Sequence, residues 1–140
     1  MIYLDTSAAI PLFVPEPASD AVDAWFEACD GTLISSDWIL TEFASALSLK
    51  VRRGEIEQKQ AQVAWKDFES FCESGLRLVP VSRHAFGQAA QFVRNVSSGL
   101  RSGDSLHLAM AIEVGAASMA TADANLAKNA MQLGLAVNRF

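Results

Sequence analysis

The chain has 140 residues, 51% of them hydrophobic and 19% charged, with 11 Lys and Arg against 16 Asp and Glu for a net charge of −5. Length and apolar share predict one globular domain over residues 1–140 and exclude intrinsic disorder; no apolar run approaches the roughly 18–20 residues of a membrane-spanning helix. Met1-Ile-Tyr-Leu-Asp5 does not read as a secretory signal, and Cys29 and Cys72 lack metal-ligand spacing, so the expected setting is a reducing cytoplasm with no membrane attachment.

Ile2-Tyr3-Leu4 reads as a short strand ending at Asp5, after which Thr6 and Ser7 can cap a helix cut short by Pro11 and Pro15. Ser19 and Asp20 open a second helix with Val22, Trp25, Phe26 and Cys29 on one face, and Thr32-Leu33-Ile34 is a second strand. Ile39, Phe43, Ala46, Leu47 and Val51 mark an amphipathic helix that stops at Gly54, with Asp37 before it as a cap. Residues 55–72 predict a long helix carrying Val63, Trp65, Phe68 and Phe71. A strand over 76–81 follows, and Ser82 caps a helix through Ala85, Phe86, Ala89, Phe92 and Val93. The near-continuous apolar stretch 104–113 predicts a helix buried on most sides. Small residues over 117–121 predict a strand, Leu126, Ala127, Ala130 and Leu133 a last helix closed by Gly134, and Leu135-Ala136-Val137 the final strand. Strands alternating with helices predict an α/β domain whose mainly parallel sheet is covered on both faces, and such sheets bind ligands at the carboxyl ends of their strands.

That rule selects among the acids. Asp5 and Asp123 each follow a predicted strand at its carboxyl end. Asp104 starts the apolar helix behind Ser102-Gly103, where the helix dipole favours a carboxylate. Glu42 lies beside the apolar stripe of its helix, hence partly buried. Taken singly, Asp5 could just begin a helix and Asp104 could be a dipole partner. Four carboxylates converging in one partly desolvated pocket need compensation, and the ordinary source is a hard divalent ion with oxygen ligands, Mg²⁺ or Mn²⁺, whose waters can hydrolyse a phosphodiester. With four of the 16 acids in such a pocket the rest of the chain is close to neutral, so the acidic total says little about partners.

His107, three residues after Asp104, reads as a packed helix histidine bonded to neighbouring backbone, and His84 as exposed. For contact with an anionic polymer the candidates are Arg101, beside the pocket, and Lys50, Arg52 and Arg53, which could equally complement a helix C-terminus. Trp25, Trp38 and Trp65 could stack bases, although packing is the commoner fate of tryptophan at helical spacing.

The segments Met1-Ile-Tyr-Leu-Asp-Thr-Ser7, Leu40-Thr-Glu-Phe43, Leu100-Arg-Ser-Gly-Asp-Ser-Leu-His-Leu-Ala109 and Thr121-Ala-Asp-Ala-Asn-Leu-Ala127, followed by Leu133-Gly134, are together similar to those of PIN-domain proteins. More narrowly, the chain resembles the toxin ribonucleases of type II VapBC toxin–antitoxin systems. The resemblance implies an α/β/α sandwich with a four- or five-stranded, mainly parallel sheet and about seven helices. It implies Mg²⁺- or Mn²⁺-dependent endonucleolytic cleavage of RNA, with transfer RNA or a ribosomal RNA loop as the class of target. Asp5, Glu42, Asp104 and Asp123 would form the catalytic quartet: Asp5, Asp104 and Asp123 as metal ligands, Glu42 holding or activating a metal-bound water, and Thr6 and Thr121 orienting the carboxylates. It also implies an antitoxin partner and a homodimer, with Trp25, Phe26, Phe43, Leu47 and Trp65 as places to look for interfaces.

Two other readings compete. A non-catalytic binding module on the same fold sits poorly with an intact quartet. A receiver or haloacid-dehalogenase-like phosphoacceptor domain needs a second acid near Asp5 and a lysine at a later strand end. Here Asp5 is followed by Thr6-Ser7-Ala8, and the only lysine after Lys66 is Lys128, inside a predicted helix.

Overall fold

Five short strands, β1 (Ile2–Leu4), β2 (Leu33–Ser36), β3 (Arg77–Val79), β4 (Ser118–Thr121) and β5 (Ala136–Arg139), pair in parallel throughout, in the order β3-β2-β1-β4-β5. The computed structural model describes all residues 1–140. Seven helices make the connections: α1 (Thr6–Ala9), α2 (Ser19–Ala28), α3 (Trp38–Arg52), α4 (Gln58–Ser74), α5 (Arg83–Arg94), α6 (Ser102–Glu113) and α7 (Ala124–Gln132). None is long and apolar enough to cross a membrane.

Side chains alternate across a strand, and here the alternation divides the core in two. Tyr3, Ile34 and Met119 point to one face, where Ala85 and Ala89 of α5, Leu106 and Leu108 of α6, and Leu126 of α7 cover them. Leu4, Leu33 and Ala120 point to the other, under Ile39, Phe43 and Leu47 of α3 and Ala64 and Phe68 of α4. Phe43 and Phe68 stack with ring centres 3.9 Å apart. Burying each such ring contributes about 2–3 kcal/mol. Phe43 and Leu47 are therefore core residues, not interface residues. Trp25 and Trp65 are half-buried and Phe26 is exposed.

Several boundaries differ from the sequence reading, each for a local reason. Asp5 itself caps α1, its Oδ1 accepting from the Ala8 N–H at 3.1 Å, so Thr6 and Ser7 are free for other work. α2 does open at Ser19, as expected, and the Ser19 hydroxyl donates to the Pro11 carbonyl at 3.0 Å. Asp37 stands at the α3 cap without a side-chain capping bond. The long helix starts at Gln58 rather than 55, where the Gln60 side chain accepts from the Glu57 N–H at 2.9 Å. β2 runs on through Ser35 and Ser36, both fully buried: the Ser35 hydroxyl donates to the Leu4 carbonyl at 2.8 Å, and Ser36 takes the Tyr3 hydroxyl at 3.1 Å. Polar residues are tolerated there because each is bonded.

The strand order places the site. β1, β2 and β3 step one way across the sheet, whereas β4 and β5 lie on the other side of β1. The chain leaves β1 into α1 and β4 into α7, so a crevice opens beyond the carboxyl ends of these two central strands.

Candidate active site

Asp5, Glu42, Asp104 and Asp123 all line one cavity of about 460 Å³ at this crevice, together with Thr6, Ser7 and Arg101. Asp5 directly follows β1 and is 2% exposed. Its Oδ1 accepts from Ser7 Oγ at 2.8 Å as well as from Ala8, and its Oδ2 accepts from Thr121 Oγ1 at 3.0 Å. Burial nonetheless pushes its carboxyl up to about 6, the hydrogen bonds and the nearby His107 ring only partly opposing it. The sequence reading gave Ser7 only the role of a helix cap, yet it also lies 3.1 Å from Thr121 Oγ1 and accepts from the Ala122 N–H at 2.9 Å. It ties the end of β4 to the end of β1. Only its place in the Asp-Thr-Ser run hinted at this, since its partners are remote in sequence.

Glu42 enters from α3. Its Oε2 accepts from Thr6 Oγ1 and from His107 Nε2, each at 2.5 Å. Burial by itself would raise its carboxyl, but the bonds from His107 and Thr6 outweigh that and hold it below the usual glutamate range. His107 makes no bond to neighbouring backbone, contrary to expectation. Its ring is 1% exposed, with Nδ1 pairing with the Tyr3 hydroxyl at 3.0 Å. Burial pushes that hydroxyl up to about 12, and it donates onward to Ser36. The buried Trp38 Nε1 has no hydrogen-bond partner, and the indole lies close enough to Glu42 to lower its pKa.

Asp104 sits in the first turn of α6, and Asp123 caps α7, accepting from the Leu126 N–H at 2.7 Å. Arg101 spans the two. Its Nε donates to Asp104 Oδ2 at 3.2 Å and its Nη2 to Asp123 Oδ2 at 3.5 Å. The Asp104 carboxyl is still raised, by burial first and then by Asp123 and Glu42, with Arg101 opposing. Between Asp104 and Glu42 the chain must pass without a side chain, because a Cβ on Gly103 would run into Glu42 Oε1.

The donors lining the cavity are carboxylates and hydroxyls, which suit a hard divalent cation, and the raised carboxyls of Asp5 and Asp104 are what such a charge relieves. As the side chains stand, no three acidic, histidine or cysteine groups are placed to hold an ion. Like charges keep the carboxylates apart and the Arg101 guanidinium occupies the space between two of them. The donor chemistry fits a divalent ion, provided Arg101 swings aside. Of the other basic candidates, Lys50 is engaged by Glu16 and Glu55, Arg52 donates to Ser48 Oγ at 2.8 Å, and Arg53 is exposed at the end of α3; none lines the acidic cavity.

Comparison with known proteins bears on the family and the fold. The PIN domain family matches residues 2–131. Over 115 residues the chain is 30% identical to the ribonuclease VapC45 of Mycobacterium tuberculosis, a match covering 82% of this chain and 77% of that protein. Among solved structures, the fold is similar to VapC20 of Mycobacterium tuberculosis, described as a Sarcin-Ricin loop cleaving toxin, with a TM-score of 0.74 at 15% identity over 92% of this chain and 95% of that one. It is similar also to VapBC2 of Rickettsia felis, bound to a DNA fragment from its promoter, with a TM-score of 0.68 at 18% identity over 100% of this chain and 99% of that one.

Proposed function

Because the chain belongs to the PIN-domain family, with VapC ribonucleases among its relatives, we propose that it is the toxin of a type II toxin–antitoxin pair, an Mg²⁺- or Mn²⁺-dependent endoribonuclease acting in the cytoplasm. The observation that carries this reading is the convergence of Asp5, Glu42, Asp104 and Asp123 on one cavity at the point where the sheet reverses its strand order. Asp5, Asp104 and Asp123 would hold the ion. A divalent ion there supplies positive charge against a phosphate and polarises water for attack on phosphorus.

The chain's own groups do the rest. Thr121 and Ser7 fix Asp5. Thr6 fixes Glu42 through Oε2, which leaves Oε1 to accept a hydrogen bond from the attacking water. Arg101, largely exposed, can transfer its guanidinium from Asp104 and Asp123 to a phosphate of the RNA. Hydrolysis then joins the water oxygen to phosphorus and breaks one ester P–O bond, the leaving oxygen gaining the proton that the water gives up. An acidic cavity thereby accepts a polyanion. A small antitoxin protein would cover this cavity, the toxin would work as a homodimer, and transfer RNA or a ribosomal RNA loop would be the target. A non-catalytic module would have no need of four converging acids.

The test is incubation of the purified protein with total cellular RNA. Discrete cleavage is expected with Mn²⁺ or Mg²⁺ and none with EDTA. Asp104→Asn should lower the rate at least about 100-fold, since several kcal/mol of charge stabilisation depends on the ion, while its thermal midpoint in EDTA should be unchanged or raised. RNA left intact by the wild type with Mn²⁺ would refute the reading.

A further inference from the structure

We propose that His107 is a positioning residue for this reaction: it fixes the Glu42 carboxylate in the cavity and is itself fixed by Tyr3 and Ser36. The inference rests on the nuclease reading above and deepens it.

The buried part of α6 runs Ser105, Leu106, His107, Leu108, Ala109, Met110, Ala111. The Ser105 hydroxyl is satisfied within its own helix, by the Ser102 carbonyl at 2.7 Å. An imidazole in the middle of such a run is out of place unless both ring nitrogens are bonded, because a buried polar group without partners is costly and a leucine would fill the space without that penalty. Both nitrogens are bonded, and both partners lie on other elements. Nε2 donates to Glu42 Oε2 on α3 and Nδ1 pairs with the Tyr3 hydroxyl on β1, which donates to Ser36 Oγ on β2. The Tyr3 and His107 rings also meet edge to face, with centres 5.7 Å apart.

Ser36, Tyr3 and His107 are each no more than 1% exposed. The polar chain therefore starts inside the sheet and ends on the only one of its members that reaches the cavity, Glu42. Glutamate has three rotatable side-chain bonds, and a carboxylate that must meet a reacting group at one orientation benefits from being held before the substrate arrives. Thr6 Oγ1, at 3.1 Å from the same ring nitrogen, completes the cradle on Oε2. His107 lies one helical turn beyond Asp104, so a single helix presents one acid to the cavity and holds another from beneath.

Two substitutions separate positioning from packing. Gln at this place keeps an N–H at the distance of the imidazole Nε2; Leu keeps the volume and loses the donor. On a labelled RNA carrying a site mapped from total RNA, His107→Leu should lower kcat about 10- to 100-fold with KM within about twofold, as loss of a carboxylate's supporting partner does elsewhere. His107→Gln should recover most of that loss. If His107 only packs, the order reverses, and the leucine variant is the more stable and the more active. Tyr3→Phe, which deletes one hydroxyl, should lower kcat several-fold and decides the question if the leucine variant does not fold; an unchanged kcat there overturns the proposal. Independently of cleavage, the wild type should show a slowly exchanging, far-downfield ring N–H proton resonance that disappears in Glu42→Gln. Its absence from the wild type would also overturn the proposal. A wild type that cleaves while every His107 and Tyr3 variant keeps its kcat removes the role of His107 alone; a wild type that leaves the RNA intact with Mn²⁺ removes the nuclease reading and this inference with it.

Discussion

Arg101 is the sole basic side chain lining the acidic cavity, and its position there has two consequences of opposite sign. It neutralises Asp104 and Asp123 at rest, and it stands where a metal would compete for them. Its side chain is 78% exposed, and ion pairs so open to solvent are worth about 0–1 kcal/mol, so the contact can be surrendered. Arg101→Gln should therefore tighten Mn²⁺ binding in isothermal titration by at most about fivefold, while raising KM for RNA through the lost phosphate contact. Equal Mn²⁺ affinity in the two proteins would show that the guanidinium does not compete. The same side chain was legible in the sequence as a neighbour of Asp104. Its grip on Asp123, 22 residues away, was not. Lys50 shows the opposite case: the sequence left it between contact with an anionic polymer and complementing a helix end, and the fold brings Glu16 against it.

Among the elements, α6 brings Gly103 and Asp104 to the cavity and His107 beneath it, and what could be read of it in advance follows from its nearly unbroken apolar run. The apolar stretch 104–113 predicted a helix buried on most sides, and seven consecutive residues of it are buried; the strands were read from short apolar runs, a weak alternation over 76–81 and small residues over 117–121. Strand and helix ends were less legible, because side-chain bonds set them. Asp5 becomes a cap, and two buried serines extend β2 because partners on β1 satisfy them. His107 was misread because its partners, Tyr3 and Glu42, are 104 and 65 residues away, and spacing within one helix carries no trace of them. Gly103 is the other residue in this helix whose reason lies outside it. Alanine is a better helix former than glycine by about 1 kcal/mol, so Gly103→Ala should leave the thermal midpoint unchanged or raise it. The new methyl group would nonetheless displace Glu42 Oε1 from its place beside the cavity. A fall in kcat of tenfold or more at undiminished stability is the expected result, on the order of a lost supporting contact. Full activity in that variant would mean that the orientation of Glu42 is immaterial to cleavage.

At the scale of the whole molecule, the buried acids make stability a function of pH and, on the proposed function, of metal. The Asp5 carboxyl lies at about 6 in the folded chain against 3.8 for an ordinary aspartate. Between those values the folded protein binds more protons than the unfolded one, so this group's contribution is complete below the lower value and is lost as pH rises through about 6. A displacement of that size corresponds to roughly 3 kcal/mol at most. Asp104, raised in the same sense, adds to the loss, whereas Glu42, lowered, acts oppositely and destabilises only in acid. In EDTA the thermal midpoint should therefore fall between about pH 5 and pH 7.5, and Asp5→Asn, which has no proton to lose, should flatten that fall and melt higher than wild type at the upper end. On the proposed function Mn²⁺ should reverse the slope, because it would bind the ionised carboxylates and its contribution would grow as they deprotonate. The separation between the midpoints with and without Mn²⁺ should accordingly widen from about pH 5 to pH 7.5 in wild type and shrink at the upper pH in Asp5→Asn. Scanning calorimetry on both proteins measures all four curves. If the wild-type midpoint in EDTA climbs over this range and Asp5→Asn follows it, the strained charge in the cavity does not belong to Asp5, and its place as a metal ligand loses its physical ground.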